Sequence, residues 1–199
     1  AREGEVIQQT IGRIAASAGQ ELMAYADPFE VSERLAQDAV KLLSAKSPSS
    51  GKYPVVVDNG ITGLIALSTG LMTSAYFALM PESELGSFAG KLGQKVCSEA
   101  ITLTDDPTSA GMPVIFHYDE EGIAAEPVNV IESGVLKTYI HSRETAYKFN
   151  VEPRGHSRAP NALFQPKPIV SNAVIKSSDL SFEELIEDIK EGIYLRGVV

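Results

Sequence analysis

Between Asp58 and Glu82 the chain carries no charged residue, and Ile61–Met80 reads ITGLIALSTGLMTSAYFALM. Ordering so apolar a segment is favourable only where it leaves water. The expectation is one long helix at the centre of the core. Twenty uncharged residues also meet the length needed to cross a bilayer. Seven of them are Gly, Ser or Thr, however, and the flanks are Asp58, Glu82 and Glu84, with no basic anchor and no aromatic belt. A buried helix is therefore expected, without a membrane partner. Gly63, Gly70, Thr73 and Ser74 would let another element pack close. Ahead of the run, Tyr53–Asp58 is β-branched and predicts a buried strand, and Asn59-Gly60 a turn.

Residues 1–26 read two ways. Val6, Ile7, Ile11, Ile14, Ala15, Ala18 and Leu22 approach a helical stripe, which Gly12 and Gly19 interrupt. Thr10-Ile11 and Arg13-Ile14 would equally alternate as strand. Asp27-Pro28-Phe29-Glu30 supplies an N-cap, a first-turn proline and a Glu three residues on, so a helix should follow. Its inward face is Val31, Leu35, Ala39, Leu42 and Leu43. Phe88–Glu99 reads as a helix or a turn plus helix. Strands are expected at Ala100–Thr104, Pro113–Tyr118, Ile123–Ile131 and Val135–Ile140, the last three forming a meander across turns at Asp119–Gly122 and Glu132–Gly134. Ser142–Phe149 can form a short helix. Asn150–Lys167 is an irregular loop of the kind that often carries function. A strand at Pro168–Ile175, a helix capped by Ser181 and Glu184 and ended by Gly192, and a strand from Ile193 complete the pattern. Strands grouped apart from helices indicate an α+β fold, a mixed and largely antiparallel sheet with a long buried apolar helix. Residues 1–52 form an N-terminal segment with its amphipathic helix, and 53–199 the main module.

The net charge is −9, from 17 basic and 26 acidic residues. No Lys/Arg block offers the basic face that a nucleic acid needs, so none is expected as a partner. Cys97 is the single cysteine, which excludes an internal disulfide and suits a reducing cytoplasm. The first residues lack the apolar core of a secretory signal. A start without Met and an end on Gly197-Val198-Val199 suggest a fragment of a longer protein.

Familiar catalytic patterns are not met. His117, His141 and His156 have no helical pair spacing for a metal, and His117 with Asp119 reads as a surface strand beside a solvated turn. Ser68 lies inside the apolar run, not on the strand-to-helix elbow of a nucleophilic serine. Gly86–Leu92 is one residue short of a phosphate loop and lacks its Ser/Thr. What stands out in an acidic chain is a set of cations and polar groups around the irregular loop: His141, Arg143, Arg154, His156 and Arg158, with Asn161. Either Arg–carboxylate pairs pin this loop to the Asp119–Glu121 turn, or the cations capture a peptide's carboxylate or backbone.

The strand, turn, Gly63 and apolar helix resemble the start of the catalytic module of the TldD/PmbA family, the "modulator of DNA gyrase" proteins. The resemblance continues through Phe88–Gly93, Ser98-Glu99, Thr104–Asp106, Asp119–Gly122, Val130–Tyr139, Pro166–Asn172 and Glu191–Tyr194, in the family's order. It implies a metalloprotease-family fold acting in peptide processing or degradation. In the TldD branch the helix carries His-Glu-x-x-x-His for zinc. Aligned on Gly60 and Gly63, those positions are Leu67, Ser68 and Met72, none a zinc ligand or carboxylate base. The chain is thus similar to the PmbA (TldE) branch: no catalytic residue, no metal ligand and no cofactor of its own, with zinc belonging to the catalytic branch. Peptide-binding candidates are His141, Arg143, Arg154, His156, Arg158 and Asn172. The resemblance implies a homodimer, or a heterodimer with a TldD-like subunit. The alternatives are an active metallopeptidase whose ligands come from elsewhere in the full-length chain, and a non-enzymatic binding scaffold.

Overall fold

The computed structural model describes every residue except 13, 16, 26, 81, 198 and 199, and no side chain at Tyr25. In chain order the elements are β1 (Arg2–Glu3), β2 (Val6–Ile7), α1 (Leu22–Tyr25), α2 (Pro28–Leu43), β3 (Val55–Val57), α3 (Asn59–Met72), α4 (Ala75–Ala78) and β4 (Leu103–Asp105). There follow β5 (Val128–Glu132), β6 (Val135–Leu136), α5 (Arg143–Phe149), β7 (Ser157–Arg158), β8 (Lys167–Pro168), β9 (Ala173–Ile175), α6 (Phe182–Ile186) and β10 (Ile193–Leu195). The class is α+β, as the strand grouping implies. Two compact units are formed, Ala1–Ile61 with Leu180–Val199, and Thr62–Asp179.

In the first unit β1 and β2 make a hairpin, and no helix forms before Leu22 among the described residues. The helical stripe over residues 6–22 is therefore corrected. The Thr10 hydroxyl donates to the Leu35 carbonyl (2.7 Å), and a Cβ on Gly12 would lie 2.7 Å from Leu35 Cδ1. The segment is extended because it runs close over α2. That helix begins as expected, with Asp27 Oδ1 accepting from the Phe29 amide (2.8 Å). Val31, Leu35, Ala39 and Leu43 turn inward, while Leu42 stays exposed. β3 pairs in parallel with β10, Val55 opposite Ile193, and is only partly covered. Asp58 caps α3: Oδ1 accepts from the Ile61 amide (2.9 Å) and Oδ2 from the Gly197 amide (2.7 Å). These amides, Ile61's first, hold its carboxyl below the usual range. Asn59-Gly60 is thus the first turn of the helix rather than a separate turn.

In the second unit the apolar run is neither one helix nor fully buried. It breaks after Met72 because a distant strand supplies the bonds: Ile140 donates to the Thr73 carbonyl (3.0 Å) and Ala75 to the Ile140 carbonyl (2.8 Å). Ser74 Oγ donates to the Pro168 carbonyl (2.7 Å). The buried face is made of small residues, Ala66, Gly70, Thr73, Ser74 and Ala75, whereas Leu64, Ile65 and Leu67 remain 46–49% exposed. A Cβ on Gly70 would lie 2.7 Å from Val170 Cγ2, so close packing requires glycine there. No helix among the described residues is long and apolar enough to cross a membrane.

The core instead centres on a four-stranded antiparallel sheet, order β6-β5-β4-β9, whose Leu103, Val130, Ile131 and Leu136 are almost wholly buried with Tyr139 and Ile140. Ser133 (φ 47°) and Gly134 (φ 77°) form a tight turn between β5 and β6. Phe88–Glu99 forms turns, not a helix. Gly90 and Gly93 are left-handed, and the segment spends its amides on the sheet edge, Gly93 donating to Leu136 (2.8 Å) and Val96 to Gly134 (2.8 Å). Pro113–Tyr118 also stays outside the sheet, forming only a bridge from Tyr118 to Ala124.

Candidate functional site

α5 opens on a reciprocal cap: the Ser142 hydroxyl accepts from the Thr145 amide (3.3 Å) and Thr145 Oγ1 from the Ser142 amide (2.9 Å). Asn150, at φ 53°, ends the helix in the left-handed region. His141 stands just before the cap. It is buried against Tyr139 and Phe149, with ring centroids 6.3 and 5.3 Å away, and shares a 3.3 Å hydrogen bond with Thr145 Oγ1. Burial lowers its pKa to about 4, so the imidazole is neutral at pH 7.

Three consecutive acids accept backbone amides, two from the long loop and one from the first turn of α5. Asp119 Oδ2 accepts from the Ser157 amide (3.0 Å), Glu120 from the Ala159 amide (2.7 Å) and Glu121 from the Arg143 amide (2.8 Å). The expected Arg–carboxylate pairs do not form: among the described residues Arg143, Arg154 and Arg158 have no ion pair. Arg158 lies 5.6 Å over the Phe116 ring instead.

Behind the loop is a buried polar cluster. Asp105 accepts from the Asn172 amide (2.6 Å) and from the Ser171 amide and hydroxyl (2.9–3.0 Å). His156 Nδ1 lies 2.8 Å from Asp105 Oδ2, and Nε2 2.9 Å from the Glu126 carbonyl. The Asn172 side chain donates to the Asp106 and Val114 carbonyls (2.7 and 2.5 Å). Asn172 is fully committed to the fold.

His141, Arg154 and His156 meet around one cavity of about 440 Å³, lined also by Val128 of β5 and by residues 137–140. Val128, Tyr139, Ile140 and Val151 supply apolar walls, and Lys137 and Glu152 join Arg154 as charged lining groups. Arg143, Arg158 and Asn172 do not line it. The sequence reading missed the apolar walls and Glu152, and it missed Asp105, whose Asp-Asp-Pro context reads only as a strand end.

Zinc would need ligands on α3. Leu67 has no donor atom, Ser68 Oγ already donates to the Leu64 carbonyl (2.8 Å), and Met72 offers a soft thioether. These residues do not fit the ion. Among the described residues no group of three or more His, Cys, Asp or Glu is placed to hold a metal.

Fold and site together define an α+β module with a small cavity lined by His141, Arg154 and His156. Residues 50–199 match the PmbA/TldA metallopeptidase C-terminal domain, and the chain belongs to the TldD/PmbA family. It is 40% identical over 99% of its length to a metalloprotease of Methanothermobacter thermautotrophicus, and 42% identical over 80% to one of Methanocaldococcus jannaschii. It spans 42% and 35% of their lengths. Among solved structures, a modulator of a DNA gyrase from Thermotoga maritima superposes with a TM-score of 0.73 at 31% identity, over 87% of this chain and 39% of that one. TldE from Thermococcus kodakarensis shares the fold, with a TM-score of 0.67 at 24% identity over 83% of this chain and 38% of that one.

Proposed function

We propose that the chain is part of a cytoplasmic TldD/PmbA-family protein that acts in peptide processing as a subunit without its own zinc site. It holds peptide, and a metal-bearing relative cuts it within a dimer. The observation that carries this reading is the composition of α3, where positions 67, 68 and 72 provide neither a metal ligand nor the carboxylate that would activate zinc-bound water. The family's metalloprotease relatives support the peptide substrate class. The gyrase-linked name of one relative is not extended to DNA contact, since a net charge of −9 opposes phosphate binding.

The test uses the full-length protein purified without added zinc. Metal content is read by plasma emission, and peptide hydrolysis is assayed alone and with a family member carrying His-Glu-x-x-x-His. The expected result is no bound zinc and hydrolysis only in the mixture. Stoichiometric zinc, or hydrolysis by the protein alone, would overturn the reading.

A further inference from the structure

We infer that the cavity lined by Val128 of β5 and residues 137–141 receives the C-terminal residue of a peptide, its carboxylate on Arg154 and its side chain against Val128, Ile140 and Val151. This rests on the peptide-holding reading above and adds which end of the peptide is held.

Charge complementarity carries the choice of occupant. Arg154 lines the cavity, and no carboxylate lies within ion-pair distance of it among the described residues. In a chain with 26 acidic and 17 basic residues, that is a consequence of placement. The nearby acidic turn spends its carboxylates on the amides of Ser157, Ala159 and Arg143. The other cation of the lining, Lys137, sits 3.7 Å from Glu132, so it is partly answered. Glu152 lines the same space, and His156 faces Asp105. Of Lys137 and Arg154, only Arg154 has no carboxylate within ion-pair distance among the described residues, and a single unanswered guanidinium matches a carboxylate rather than a phosphate dianion. A guanidinium fork suits a planar carboxylate, which it can hold through two parallel hydrogen bonds.

The walls select the side chain carried next to that carboxylate. Val128 and Ile140 are buried, Val151 is half exposed at 46%, and Tyr139 closes one side. A volume of about 440 Å³ lies at the small end of ligand pockets and suits one residue rather than a long segment. An internal stretch of peptide would bring a negative charge to Arg154 only where it holds Asp or Glu. A free terminus brings one.

Calorimetry on the full-length protein tests this with an acetylated six-residue peptide ending in leucine, as the free acid and as the C-terminal amide. The acid should bind at least ~10-fold more tightly. R154Q should abolish that preference, R154K should keep part of it, and V151D should weaken both peptides. Equal affinity for acid and amide, or a preference that survives R154Q, would overturn the assignment while leaving the peptide-holding reading intact. That reading fails separately, on zinc or hydrolysis in the protein alone.

Discussion

Asp105→Asn should be among the most damaging single substitutions in the second unit. Asp105 and His156 are each 1% exposed. Nε2 of His156 faces a carbonyl and Nδ1 faces a carboxylate that already accepts from the Ser171 amide and hydroxyl and from the Asn172 amide. Both ring nitrogens face oxygen atoms, so the imidazole is held at both ends. An asparagine at position 105 can accept on one side only. Its NH₂ must face either the His156 ring or the Ser171 and Asn172 amides, which leaves a buried group without its acceptor. Such a loss costs about 3 kcal/mol, a large part of a total stability of roughly 5–15 kcal/mol. His156→Gln should cost less, about 2 kcal/mol, because the carboxylate keeps its other donors. Native-state hydrogen exchange at the β4 and β5 amides reads this locally within the full-length protein. A double-mutant cycle should give a coupling near ~2 kcal/mol. A cost below about 1 kcal/mol for Asp105→Asn, or a larger cost for His156→Gln, would refute the reading of Asp105 as the hub of this buried network.

The geometry sets three further expectations. His141 is held at about 4 against a usual 6.5, so as pH falls below 6.5 the unfolded chain takes the proton first and stability declines until the folded ring titrates near 4. At about 1.4 kcal/mol per pH unit the ceiling is roughly 3 kcal/mol, and solvent in the cavity reduces it to about 2 kcal/mol; H141Q should flatten an acid-unfolding curve in that window, and an unchanged slope would count against a neutral buried ring. Gly155→Ala should cost about 3 kcal/mol, since φ is +71° and the new Cβ would lie 2.5 Å from the Ala124 carbonyl oxygen, whereas Gly90→Ala, at φ +70° with nothing within 4 Å, should cost only about 1 kcal/mol; comparable thermal midpoints for the two would contradict the clash. Ser142→Ala removes a reciprocal cap from α5 and should cost about 1 kcal/mol in chemical denaturation.

Sequence carries most plainly the features that close neighbours decide. Asp27-Pro28, Ser142 and Ser181 mark helix starts because a cap is a contact within three residues. The turn at Glu132–Gly134 and the strands beside it are legible for the same reason. The break at Thr73 is not, since Ile140 and Pro168 supply the competing bonds from far along the chain. Phe88–Glu99 has apolar spacing that permits a helix, and only the open edge of β6 turns it into an edge cover. Of the six candidate site residues, His141, Arg154 and His156 share a cavity. Of the other three, Asn172 is committed by its side-chain bonds to Asp106 and Val114 and Arg158 by Phe116, contacts no local pattern encodes, while Arg143 sits on the first turn of α5.

The acidic turn shows why its carboxylates do not pair with the arginines of the loop and of α5: they accept backbone amides instead. A carboxylate accepting a backbone amide at the end of a loop satisfies a donor that would otherwise be stranded. An exposed Arg–carboxylate pair contributes at most about 1 kcal/mol and must order two long side chains. Asp119 illustrates the preference, with the Glu121, Ile123 and Ser157 amides all on one side chain. Once those acids hold the loop's backbone, its path past Arg154 is fixed without using the guanidinium. The loop is anchored by its amides, and among the described residues Arg154 has no carboxylate within ion-pair distance, which is the feature the acid-against-amide comparison reads.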